Sequence, residues 1–144
     1  MKVFDFHCDA IYKMVSDCSL SFRDGKSLDV TLNRLIQGGV GLQCFAIFIS
    51  DSVARPAFYD ILQAVDVYYE RVLSHPEMAP IGSSNELKQL ADSHKIGAIL
   101  TLEGVEGLES DLSLLRHAYR LGVRMVGITW NHANWAAGGV LESR

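Results

Sequence analysis

The run Ile96-Gly97-Ala98-Ile99-Leu100-Thr101-Leu102-Glu103 is apolar for most of its length and ends in an acid. Such a continuous apolar run is typical of a strand that is covered on both faces of a parallel sheet. A run near the N-terminus, Val3-Phe4-Asp5-Phe6-His7-Cys8-Asp9, also closes on residues that can bind a metal. Because parallel α/β folds place their sites at the C-terminal ends of strands, the two runs predict a common site at one edge of the sheet.

Short apolar runs alternate with amphipathic stretches along the chain, which predicts strand–helix units and a parallel sheet. The four predicted strands span residues 3–7, 41–49, 97–102 and 124–129. The predicted helices cover part of 10–17, a segment that Asp29 caps, a long segment with Pro56 in its first turn, a segment opened by Ser83 and Glu86, and 111–121.

Four strand–helix units fit two architectures. One is a small open parallel sheet with helices on both faces, and the other is the first half of an eightfold (β/α)8 TIM barrel, which typically needs about 250 residues. The sequence ends shortly after the fourth predicted strand, with no helix to cover it. We therefore interpret residues 1–144 as one partial domain, the N-terminal half of such a barrel.

Composition argues against several classes of protein. With 49% apolar and 21% charged residues, the chain is globular rather than disordered. A net charge of -4 gives no reason to expect nucleic acid or an anionic membrane as a partner. The longest apolar stretch, residues 40–49, is about half of what a bilayer crossing needs, and no cleavable signal follows Met1. We expect a cytoplasmic protein.

The three cysteines, Cys8, Cys18 and Cys44, are odd in number and form no C-x-x-C pair. A disulfide framework or a zinc knuckle is therefore not expected. Cys44 lies inside an apolar run and is predicted to be a small core residue. Strand alternation predicts that Cys8 turns away from its neighbours His7 and Asp9.

His7 and Asp9 are candidate metal ligands, since residues two apart in a strand project to the same side. The alternative is that His7 caps a loop and Asp9 caps the helix that starts near Ala10. Glu103 is the third candidate, because an unpaired buried carboxylate is costly and needs a cation, several donors or a proton. Its alternative role is a cap aided by Gly104. Nitrogen and oxygen ligands of this kind suit zinc.

A third cluster, Gly127-Ile128-Thr129-Trp130-Asn131-His132-Ala133-Asn134-Trp135, forms a polar and aromatic loop after the fourth predicted strand. In one interpretation the tryptophans are packing anchors and the amides satisfy the loop backbone. In the other, His132 or an asparagine donates a hydrogen bond to a developing oxyanion. His132 is therefore a candidate catalytic residue, together with Glu103.

Several motifs in order resemble the membrane (renal) dipeptidase family, whose members are metallopeptidases of the amidohydrolase type. They are Asp5-Phe6-His7-Cys8-Asp9, Leu102-Glu103-Gly104, Leu114-Leu115-Arg116 with Leu121-Gly122-Val123-Arg124, and Ile128-Thr129-Trp130-Asn131. The resemblance covers essentially the whole chain and the N-terminal half of a family member. It implies a (β/α)8 barrel that binds two zinc ions, with His7 and Asp9 on one ion and Glu103 bridging both.

The resemblance also implies an activity, the hydrolysis of dipeptides by a metal-activated water. The remaining ligands of the family, two histidines and an aspartate, come from later strands, as does an arginine for the substrate carboxylate. The family also has a histidine after strand four that contacts the tetrahedral intermediate. Trp130 stands at the nearest matching position here, and His132 lies two residues on.

Three hypotheses for function stay open at this point. The first is a zinc-dependent dipeptidase, active in the complete enzyme. The second is a non-catalytic half-barrel that binds metal weakly or not at all, with exposed sheet edges that favour a homo-oligomer. The third is another metal-dependent amidohydrolase that acts on a cyclic amide.

Overall fold

Five parallel strands form one sheet in the computed structural model, which describes residues 3–142. These strands are β1 (Val3–Asp5), β2 (Val40–Phe48), β3 (Met78–Pro80), β4 (Ile96–Glu103) and β5 (Val123–Gly127). The predicted α/β class with a parallel sheet is confirmed. The first predicted strand is two residues too long, because β1 ends at Asp5 and not at His7.

The order of the strands separates the two architectures considered above. β1 pairs with β2, β2 with β4, and β4 with β5, so each long strand lies beside the previous one in the chain. A barrel is built in this sequential order, whereas a doubly wound sheet reverses its order at a switch point. The short strand β3 was not predicted, and it pairs with Ile96, Gly97 and Ala98 at the start of β4.

Helices connect the strands, as the alternating pattern predicts. They are α1 (Ala10–Ser16), α2 (Leu32–Gln37), α3 (Phe58–Val67) with a π-helical turn (Tyr68–Val72), α4 (Ser84–Ala91), a 3-10 turn (Glu106–Leu108) and α5 (Leu112–Arg120). The predicted start of α4 is confirmed, because the Ser83 hydroxyl accepts a hydrogen bond from the backbone N–H of Glu86.

Two predicted helix starts are wrong. Thr31, not Asp29, caps α2, and its hydroxyl accepts from the backbone N–H of Arg34. The Asp29 carboxylate instead accepts a hydrogen bond from Lys13, so it is engaged away from the helix end. Pro56 lies outside the first turn of α3, because the cap residue is Ala57 and the helix begins after it.

Side chains of the sheet form two apolar clusters, as strand alternation requires. On one face, which we call the outer face, Phe45, Leu100 and Leu102 join the large core with residues of α1 and α3. On the opposite inner face, Cys44 packs with Leu42, Ile81 and Leu90, which confirms Cys44 as a core residue. No helix within residues 3–142 is long and apolar enough to cross a membrane.

Candidate metal centre

Three side chains that were predicted as metal ligands meet at the C-terminal edge of the sheet. His7, Asp9 and Glu103 each offer one ligand atom, and these atoms lie within 4.8 Å of one another. His7 Nε2 is 3.4 Å from Asp9 Oδ1 and 3.9 Å from Glu103 Oε2. The predicted convergence of the three residues is what the geometry shows, and their role as ligands stays a prediction.

The backbone of His7 is held beside β2 although it lies beyond the end of β1. Gln43 is fully buried, and its Nε2 donates to the carbonyl oxygens of His7 at 3.1 Å and Cys44 at 3.0 Å. The backbone N–H of Ala46 donates to the carbonyl of Cys8 at 3.1 Å. The side-chain amide of Gln43 thus supplies a hydrogen bond between β2 and the segment after β1, where backbone pairing of β1 stops.

Cys8 turns away from the cluster, as predicted, although residues 7–9 lie beyond the end of β1 and strand alternation does not apply to them. Its side chain is buried in the large core. Burial raises the pKa of the Cys8 thiol to about 12, so the thiol keeps its proton at neutral pH. Because its side chain lies in the core and not in the cluster, Cys8 is not among the candidate ligands.

Asp9 occupies the cap position of α1 without acting as a cap. Its carboxylate makes no hydrogen bond to the backbone of the first helical turn. The carboxylate faces His7 instead, and about half of the side chain is exposed. The alternative role of Asp9 as an N-cap therefore does not describe this structure.

Glu103 is the last residue of β4, and its side chain is 25% exposed. It does not cap the following turn, because the backbone N–H of Gly104 donates to the carbonyl of Gly127. Burial raises the pKa of the Glu103 carboxyl, with a smaller contribution from the negative charge of Asp9, while His7 lowers it. Holding a negative charge here costs free energy, and a bound cation offsets that cost.

The three side chains open onto a cavity of about 210 Å³. The other residues that line it are Tyr12, Lys13, Phe48 and Trp130. The sequence did not lead us to Tyr12 and Phe48, although both carried a usable signal. Tyr12 lies three residues after Asp9 in the first turn of α1, and Phe48 pairs with Glu103 in the register of β2 and β4.

The structure does not bring His132 to this cavity. Within the described residues, Trp130 is the member of its loop that lines the cavity. The His132 side chain is 56% exposed and lies 3.7 Å from an Asp51 oxygen and 3.6 Å from a Glu142 oxygen. Trp135 acts as an anchor, because its Nε1 donates to the carbonyl of Val105 at 2.8 Å. A catalytic role for His132 stays a prediction.

Residues 1–144 match the model of the membrane dipeptidase family, peptidase family M19. The chain belongs to this family. Among the relatives of this chain, Dipeptidase 3 of Homo sapiens is 32% identical over 108 residues. Those residues cover 74% of this chain and 22% of the human protein. Dipeptidase 3 of Rattus norvegicus is 30% identical and is also covered to 22%.

Solved structures of metallopeptidases share the fold of this chain. One M19 metallopeptidase, dipeptidase AC, superposes with a TM-score of 0.71 at 20% identity over 90% of this chain and 43% of its own. A metallopeptidase from Rhodobacter sphaeroides, liganded with a phosphinate mimic of L-Ala-D-Ala, gives a TM-score of 0.70 at 18% identity. The chain spans less than half the length of both structures.

In the metal-free chain, we expect the negative charge of Glu103 to lower the free energy of unfolding by an amount that depends on pH. The raised pKa means that the folded state binds this proton more tightly than the unfolded state does. The charge therefore lowers stability above that pKa, and the cost vanishes below the pKa of an unperturbed glutamate, about 4.3. Glu103→Gln should raise the melting temperature by about 1–4 °C near neutral pH and leave it nearly unchanged in acid.

Thermal melts of the metal-free protein at neutral and acidic pH measure this difference. Glu70→Gln is the matched control, because Glu70 lies exposed in the π-helical turn. A gain for Glu103→Gln that is the same at both pH values, or is shared by Glu70→Gln, would contradict the electrostatic explanation.

Proposed function

We propose that the chain provides His7, Asp9 and Glu103 to a zinc centre, and that the complete enzyme hydrolyses dipeptides. Membership of the membrane dipeptidase family supports dipeptide hydrolysis, and the M19 metallopeptidases among the solved structures support a metal. The observation that carries the proposal for this chain is the convergence of one imidazole and two carboxylates within 4.8 Å.

The donor set fits a divalent ion of the zinc type. An imidazole nitrogen and carboxylate oxygens are ligands that zinc accepts, and the set contains no thiolate. Neither the Asp9 nor the Glu103 carboxylate is used as a helix cap. The resemblance to the membrane dipeptidase family implies that Glu103 would be the ligand shared by two ions. Bound zinc supplies Lewis-acid chemistry, which polarises a carbonyl and makes water more acidic.

The residues of the chain have distinct roles in this proposal. Asp9 and Glu103 provide negative charge that offsets the charge of the ions. Gln43 holds the backbone of His7 through a hydrogen bond to its carbonyl, which fixes the position from which the imidazole projects. The L-Ala-D-Ala mimic in the Rhodobacter sphaeroides metallopeptidase supports a dipeptide as the substrate of the complete enzyme.

Metal binding by Asp9 variants tests the proposal. After chelation and dialysis, the protein should bind zinc in a calorimetric titration, and Asp9→Asn should weaken that binding at least about tenfold, because a charged ligand is lost. Asp92→Asn, at the exposed C-terminal end of α4, is the matched control and should bind as the wild type does.

The two remaining hypotheses predict different results for zinc binding and for substrate hydrolysis. A non-catalytic half-barrel shows no zinc binding that depends on Asp9 and no hydrolysis of any substrate. A cyclic-amide hydrolase retains the Asp9-dependent binding but cleaves cyclic amides and not dipeptides in a substrate panel. Equal zinc affinity of the wild type and Asp9→Asn would remove the proposed centre.

A further inference from the structure

Three aromatic rings form one wall of the cavity that His7, Asp9 and Glu103 also line. The rings of Tyr12 and Phe48 meet edge to face, with centroids 5.4 Å apart and an interplanar angle of 77°. Phe48 and Trp130 meet in the same way, at 5.2 Å and 75°. The wall is thus assembled from α1, the end of β2 and the loop after β5. We call these three residues the aromatic wall.

We propose that the aromatic wall is a specificity subsite that selects dipeptides with a bulky apolar side chain. This inference rests on the proposed dipeptidase function and adds the class of substrate to it. The cavity of about 210 Å³ is large enough for such a group, since a cavity of about 150 Å³ in another protein binds benzene.

The arrangement of the rings supports a preformed subsite. Phe48 belongs to β2 and pairs with Glu103 in the sheet, so the ring and the carboxylate are held at neighbouring strand ends. Tyr12 is fixed by the first turn of α1. Edge-to-face contacts then lock the rings against one another. Trp130 nevertheless leaves 47% of its side chain exposed, which provides apolar surface for a ligand to cover.

The charged groups around the cavity disfavour an acidic side chain in the metal-free protein. Such a side chain would meet Asp9 and Glu103, and Lys13 cannot fully compensate because Asp29 already pairs with it. An uncharged apolar group avoids this penalty and gains from leaving water.

Relative rates on a panel of dipeptides test the subsite in the zinc-loaded complete enzyme. We expect kcat/KM for Ala-Phe or Phe-Ala to exceed that for Ala-Ala at least about tenfold. Trp130→Ala, and separately Phe48→Ala, should reduce this ratio at least about fivefold, because apolar contact area is lost. Trp135→Ala is the matched control, since Trp135 anchors its loop on Val105 and does not line the cavity.

A binding measurement tests the selectivity of the subsite independently of hydrolysis. Free phenylalanine, alanine and aspartate are titrated into the metal-free protein, and binding is followed by tryptophan fluorescence. Phenylalanine should bind at least about tenfold more tightly than the other two, and Trp130→Ala should remove that difference.

The outcomes separate the two proposals. Hydrolysis by the complete enzyme without a preference for a bulky apolar side chain, or a loss of preference in Trp135→Ala equal to that in Trp130→Ala, overturns the subsite and leaves the dipeptidase proposal intact. Absence of hydrolysis by the complete enzyme removes the dipeptidase proposal, and the fluorescence titration then decides. Tighter binding of phenylalanine that depends on Trp130 supports the aromatic wall, and equal binding of the three amino acids overturns it.

Discussion

In the complete enzyme of the proposal, Glu103→Gln is expected to reduce zinc-dependent hydrolysis of dipeptides by at least about 1000-fold in kcat/KM, which corresponds to about 4 kcal/mol of transition-state stabilisation. The substitution keeps the size of the side chain and removes its negative charge. Glu103 lies 3.9 Å from His7 and is the only one of the three candidate ligands in the middle of the sheet. Its loss therefore removes one of the two negative charges on which the proposed centre depends.

Two measurements separate this effect from a loss of structure. Glu103→Gln should melt at least as high as the wild type in the metal-free state, because the wild-type carboxylate costs stability there. Glu70→Gln, the exposed control, should retain wild-type kcat/KM. Hydrolysis by Glu103→Gln within about tenfold of the wild type would remove Glu103 from the proposed mechanism.

Phe45→Ala is expected to lower the free energy of unfolding by about 3–5 kcal/mol, a large part of the stability of a domain of this size. The Phe45 side chain has no exposed surface and is among the largest fully buried side chains. Its ring contacts Phe22 with centroids 5.7 Å apart and Tyr68 with centroids 6.0 Å apart. Truncation leaves a cavity between the outer face of the sheet and the segments that cover it.

Urea unfolding followed by circular dichroism measures this loss. Tyr59→Ala removes a ring of similar size from an exposed position of α3 and should cost no more than about 0.5 kcal/mol. A small loss for Phe45→Ala, similar to that for Tyr59→Ala, would mean that the outer face of the sheet is not packed as described.

The sequence was sufficient to predict the main strands and the residues that meet at their C-terminal ends. Long apolar runs predicted β2 and β4, because strands that are covered on both faces exclude polar residues. The convergence of His7, Asp9 and Glu103 followed from the same premise, since the C-terminal ends of parallel strands share one edge of the sheet. The apolar runs predict the strands, and the parallel arrangement of the strands predicts that the residues at their C-terminal ends meet.

Other features depend on contacts that a local pattern does not contain. β3 has three residues, which is too short for a periodic signal. The local sequence makes Asp29 a plausible cap, but in the structure its carboxylate pairs with Lys13, which is distant in sequence. The loop after β5 brings Trp130 and not His132 to the cavity, because bonds from Asn134 to Glu106 and from Trp135 to Val105 set its path.

The candidate ligands come from distant parts of the chain, two from the segment between β1 and α1 and one from the end of β4. An ion held by all three would act as a crosslink that encloses everything from α1 to β4 in a loop. At a zinc concentration of about 100 times Kd, such a crosslink adds about 2.7 kcal/mol to the folded state. Resistance to heat and proteases would then follow the supply of zinc, so that depletion of the metal would shorten the lifetime of the protein.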